Sequence, residues 1–60
     1  MSFFKVGDVL ERRLPPVDYI IITDVKPIPY DCPTIYFKYL DNGEISLLAE
    51  RHVLRKYDKI

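Results

Sequence analysis

Tryptophan is absent from this 60-residue sequence, cysteine and histidine occur once each, and glycine occurs twice. Each scarcity removes a class of function. Cys32 alone cannot close an intramolecular disulfide, and one thiol with one imidazole, His52, falls short of a four-ligand zinc set. Gly7 and Gly43 cannot build a glycine-rich phosphate loop. The aliphatic run Ile20-Ile21-Ile22 is far shorter than the roughly 20 residues a membrane-spanning helix needs. The opening Met1-Ser2-Phe3-Phe4-Lys5 has no apolar core of a signal peptide. The chain therefore reads as a cytoplasmic protein with no membrane association, no metal and no cofactor.

Net charge is also lacking. Nine Lys+Arg balance nine Asp+Glu, and the sequence pI is near 6.5. That balance argues against a protein built mainly to neutralise phosphate. The charge is nonetheless uneven along the chain. Residues 18–50 hold Lys26 and Lys38 against six acids, whereas residues 51–60 hold Arg51, Arg55, Lys56 and Lys59 against Asp58 alone. The end of the chain is distinctly basic. At this length one domain, residues 1–60, is expected, with stability of a few kcal/mol at most, about 3–5, and little room for a deep catalytic cleft. Hydrophobic residues at 48% beside 30% charged residues give the apolar surface that a folded core requires and disordered chains lack.

What is present has a period of two. Alternation of apolar and polar residues, punctuated by turn residues at short intervals, predicts an all-β fold. Strands are expected over 8–14, 18–26, 34–40, 44–48 and 53–57. Gly7 supplies a positive φ before the first, and Pro15-Pro16 ends it by withholding ladder donors. The second, with Tyr19-Ile20-Ile21-Ile22-Thr23-Asp24-Val25, has the β-branched density of a strand at least partly covered on both faces. Residues 27–33, with Pro27, Pro29 and Pro33, predict an ordered surface loop, a place where small folds carry recognition. Asp41-Asn42-Gly43 predicts a tight hairpin between the third and fourth strands. One helical turn before the last strand is expected, with a longer helix over 47–56 as the competing reading because Ala, Leu, Glu and Arg favour helix.

This order, opening on Phe4-Lys5-Val6-Gly7-Asp8-Val9-Leu10 and passing through Asp41-Asn42-Gly43 to a helical turn and a last strand, resembles the small Src-homology-3-like (SH3-like) barrels, Tudor and KOW-type domains among them. The resemblance covers nearly the whole chain. It implies a five-stranded SH3-like barrel with one short helical turn before the last strand, and a domain that binds peptides, methylated side chains, nucleic acid or other proteins. Proline-peptide binders of this kind carry a tryptophan and an Ala-Leu-Tyr-Asp-Tyr-like run, and neither occurs here. A methyl-ammonium cage needs converging rings, yet Tyr36, Phe37 and Tyr39 on one strand cannot all face the same way.

Catalysis has little to rest on. Cys32 and His52 are the only thiol and imidazole, with no motif orienting one against the other. Cys32 is expected to be a half-buried apolar filler, and His52 an exposed or capping residue. The leading expectation is a non-catalytic protein–protein interaction module, an accessory or inhibitory factor of bacterial or bacteriophage type that binds a larger protein. Tyr30 in the loop, Tyr36 and Tyr39 on the hairpin, and Arg51 and Arg55 near the end are its candidate contacts. The alternative is nucleic-acid binding by a basic patch of Arg12, Arg13, Arg51, Arg55, Lys56 and Lys59, with Tyr57 and His52 as stacking surfaces. An exposed apolar edge such as Ile28, Tyr30, Ile35 or the Phe3-Phe4 terminus is also compatible with a homodimer.

Overall fold

The computed structural model describes residues 3–60. Five strands and one short helix follow in order: β1 (Val9–Arg12), β2 (Tyr19–Ile28), β3 (Asp31–Tyr39), β4 (Ile45–Ala49), α1 (Glu50–Lys56) and β5 (Tyr57–Lys59). They form a single antiparallel sheet in the order β4-β3-β2-β1-β5. The last strand thus returns beside the first, and α1 carries the chain from one sheet edge to the other.

The turns form where the residues demand them. Gly7, at φ 95°, donates its amide to the Ile22 carbonyl and starts the chain into β1. Gly43, at φ 75°, closes the β3–β4 hairpin, while the Asn42 side-chain Oδ1 accepts from the Glu44 amide. Side-chain oxygens of Asn and Asp commonly hold turns in this way.

Residues 27–33 are not a surface loop. Strands β2 and β3 continue through them, Ile28 pairs with Asp31, and only Pro29 and Tyr30 form the turn. Two register shifts accommodate the prolines and redirect the faces. Between Lys26 and Ile28, β3 advances by one extra residue, from Thr34 to Asp31. Such a bulge relieves Pro33 of a ladder bond that it cannot donate. Between Ile22 and Asp24, β2 takes the extra residue, since these positions pair with the adjacent Phe37 and Tyr36. Simple alternation would point Asp24 inward after Ile20 and Ile22. The bulge exposes Asp24 and lets Val25 pack on the core instead.

The helix also differs from the sequence reading. It spans Glu50–Lys56, so it is longer than one turn, and it begins later than residue 47 because Leu47 and Leu48 remain in β4 opposite Tyr36 and Ile35. Val53, expected to open the last strand, is instead the buried residue in the middle of α1. The strand shrinks to Tyr57–Lys59.

The core is Phe4, Leu10, Ile20, Ile22, Ile35, Phe37, Val53 and Tyr57, with Val25, Tyr39 and Leu48 packed against it. Phe37 is central: its ring meets Tyr39 edge-on at 5.5 Å and Tyr57 at 6.4 Å. Glu50 is buried at the start of α1, and its Oε1 accepts the Phe3 amide at 2.8 Å. The carboxylate thereby ties the N-terminal segment to the helix. On the opposite face of the sheet Tyr19, Ile45 and Leu47 are exposed, while Val9, Ile21 and Tyr36 are half-buried. Among the described residues no helix is long and apolar enough to cross a membrane.

Candidate binding sites at the two ends of the helix

Because α1 runs from the end of β4 to the start of β5, its first and last turns stand at opposite ends of the sheet. The candidate residues divide between these ends.

At the first turn lies the tip of the β2–β3 hairpin. Proline fixes φ near −65°, and Tyr30 follows Pro29 with φ 63°, which is the pattern of a type II turn. The second central position of such a turn normally takes glycine, because a side chain there is strained. Tyr30 occupies it with its ring fully exposed. Next in the chain, Asp31 Oδ1 accepts from Arg51 Nη1 at 3.1 Å, and the same nitrogen lies 3.3 Å from Cys32 Sγ. The Cys32 amide donates to Asp31 Oδ1 at 2.7 Å. That amide, followed by the Arg51 charge, holds the Asp31 carboxyl below the ordinary carboxylate range. Cys32 is half-buried, as a small filler would be, and Arg51 is its polar neighbour. His52 is half-buried too, rather than exposed.

At the last turn the arrangement is dominated by Arg13. Its amide donates to the Lys56 carbonyl at 2.8 Å. Its guanidinium donates to the carbonyls of Leu54, Arg55 and Tyr57 and to Asp58 Oδ1, the last at 2.7 Å. A helix end leaves carbonyls without intrahelical partners, and a cation there satisfies them and opposes the partial negative charge. Arg13 therefore caps α1 from a distant part of the sequence. Its hydrogen bond and charge lower the Asp58 carboxyl below its ordinary range.

Around this cap lies a cavity of about 270 Å³, lined by Arg12, Arg13, Leu14, Arg55 and Lys56. Arg12 reaches Asp18 at 3.5 Å, a long contact between partly exposed groups. Arg55 and Lys56 are exposed and make no ion pair among the described residues.

The structure thus gathers four of the six proposed basic residues and leaves two elsewhere. Arg51 belongs to the hairpin tip. Lys59 pairs with Asp8 at 3.2 Å, and its ammonium sits 5.2 Å from the Phe3 ring centroid. Tyr57 cannot stack on a base, because it is buried in the core. Among the proposed partner contacts, Tyr30 and Arg51 share the tip, and Arg55 is at the other end. Tyr36 is on the outer face beneath Lys26, whose ammonium lies 5.3 Å from the ring centroid. Tyr39 packs against the core. Of the homodimer residues, Phe4 and Ile35 are buried in the core, whereas Phe3, Ile28 and Tyr30 are exposed.

Sequence reasoning misses the cap, the Arg51–Asp31 pair and the Glu50 anchor. Each joins residues 20 or more apart, and no local spacing signals such a contact. Compared with protein-family models, with curated proteins and with solved structures, the chain finds no match. Among the described residues no group of His, Cys, Asp or Glu is placed to hold a metal ion.

Proposed function

We propose that this chain is a non-catalytic protein-binding module, its sheet closing as a small SH3-like barrel, and that the β2–β3 hairpin tip is its main contact. The carrying observation is Tyr30. A fully exposed aromatic ring occupies a left-handed position that glycine would fill without strain. Backbone strain of this kind costs about 1–2 kcal/mol and characteristically persists where function requires it. Tyrosine is also among the residues that carry protein-interface energy, since it buries much apolar area with few rotors to order.

The surroundings of the ring support this reading. Ile28 adds an exposed apolar side chain beside it, and the Arg51–Asp31 pair supplies a polar rim. The outer face of the sheet extends the apolar surface through Tyr36 and Leu47, which pair across β3 and β4. The barrel reading rests on the strand order, with β5 beside β1, and on α1 bridging the two edge strands. Such closure lets a short chain build a core without staples.

The test is retention of a protein from cell lysate on the immobilised chain after nuclease treatment, at moderate salt. A stoichiometric band that is lost in Tyr30→Ala, with an unchanged circular dichroism spectrum, is the expected outcome. Retention by Tyr30→Ala equal to that of the unmodified chain contradicts the proposal.

A further inference from the structure

We propose that the cavity between the end of β1 and the last turn of α1 is a binding site for a phosphate-type oxyanion. Arg55 and Lys56 are its main donors, Arg12 is an auxiliary one and Leu14 forms an apolar wall. This site is independent of the Tyr30 reading and lies at the other end of the helix.

Four of its five lining residues are cationic and none is acidic. Counting the two neutralising partners, Asp18 on Arg12 and Asp58 on Arg13, the cluster retains two net positive charges. A second cavity beside Arg13, about 300 Å³ and lined in part by Phe3, Tyr57 and Lys59, includes Asp58 in its wall. The first, by contrast, has four basic residues and no acid in its wall, much of which is formed by their aliphatic stems and Leu14.

The end of a helix is ordinarily hostile to anions, because its free carbonyls carry partial negative charge. Here Arg13 meets three of those carbonyls, Leu54 and Arg55 with its guanidinium and Lys56 with its amide, and removes that objection. Its charge is spent on the cap and on Asp58, so Arg13 shapes the site while the neighbouring cations remain for a ligand. A guanidinium and an ammonium on consecutive residues, each without an acid partner among the described residues, suit an oxyanion that accepts several charge-assisted hydrogen bonds.

Size narrows the ligand further. Ligand pockets generally measure about 300–1,000 Å³, and this one is at the lower limit, so it admits a group no larger than about one nucleotide. The aliphatic stems of Arg12, Arg55 and Lys56, with Leu14, provide apolar contact for the remainder of such a group. A phosphomonoester with a small organic body and a single phosphate of a nucleic-acid strand both present this chemistry.

The experiment is an amide-resolved NMR titration of the full chain at constant ionic strength, with adenosine monophosphate in one arm and a short oligothymidylate in the other. Saturable shifts confined to residues 12–14 and 54–57 are expected in at least one arm. They should weaken about tenfold or more in R55Q/K56Q, because two charge-assisted donors are lost, and be unchanged in K38Q, which removes an exposed cation elsewhere. Binding of both probes with similar affinity assigns the site to a free phosphomonoester. Binding of the strand alone assigns it to backbone phosphate. No saturable shift in either arm, or equal binding by R55Q/K56Q with its spectrum otherwise native, overturns the proposal.

Discussion

The two ends of α1 use arginine in opposite ways. At the first turn Arg51 reaches outward to the hairpin, pairs with Asp31 and leaves in solvent the ring of Tyr30, whose backbone is strained. At the last turn Arg13, just beyond β1, reaches across to the helix carbonyls, satisfies them and frees Arg55 and Lys56 from that task. Both contacts are charge-assisted and exposed, yet one braces a displayed side chain and the other completes the backbone of the helix. Counting basic residues would give both ends the same role. Their hydrogen-bond partners separate them.

The largest effect should come from removing what the ends share. Val53 is fully buried in the middle of α1, and Val53→Ala is expected to cost about 2–3 kcal/mol from lost transfer energy and the cavity left behind. In a chain of this size that is much of the stability, and chemical denaturation should show the loss directly. Glu50→Ala comes next, at about 1–3 kcal/mol, because the Phe3 amide loses a buried acceptor. Glu50→Gln, which keeps an acceptor oxygen, should lose less.

Smaller effects distinguish the ends. Arg13→Ala should lower the thermal midpoint more than Arg51→Ala, since the former orphans helix carbonyls and the latter leaves Asp31 still bonded to the Cys32 amide. Equal losses would remove the distinction between cap and brace. Acid should act on both ends together. The carboxyls of Asp58, Asp31 and Asp8 are all held below the ordinary value of 3.8 in the folded protein. Their contribution is therefore complete above that value and is lost as pH falls through the lowered folded-state values. Asp58→Asn should flatten this acid dependence as measured by the thermal midpoint across that range.

Much of the architecture is legible in the sequence because it is local. Alternation gives Ile20, Ile22, Ile35 and Phe37 a common face and Asn42-Gly43 dictates a hairpin, whereas β1 stops at Arg12, short of the expected Leu14, and Arg13 turns to the helix end instead. The β2–β3 tip is misread because Pro27, Pro29 and Pro33 look incompatible with a ladder, whereas a bulge at one and a turn at another absorb them. The end of α1 is misread because β-branched Val53 looks like the opening of the last strand, whereas its side chain is buried from the middle of the helix. Tyr30 and the basic cluster can be nominated from composition. The strain beneath one and the cap beneath the other depend on φ and on contacts far apart in sequence.

The most direct test of the account is Tyr30→Gly, measured for stability and for partner retention side by side. Glycine fits the left-handed turn position, so the account predicts a gain of about 1 kcal/mol in unfolding free energy, together with loss of the nuclease-resistant protein partner. A variant that is no more stable, or one that retains the partner as well as the original chain, would contradict the claim that strain at this tip is kept for the sake of the exposed ring.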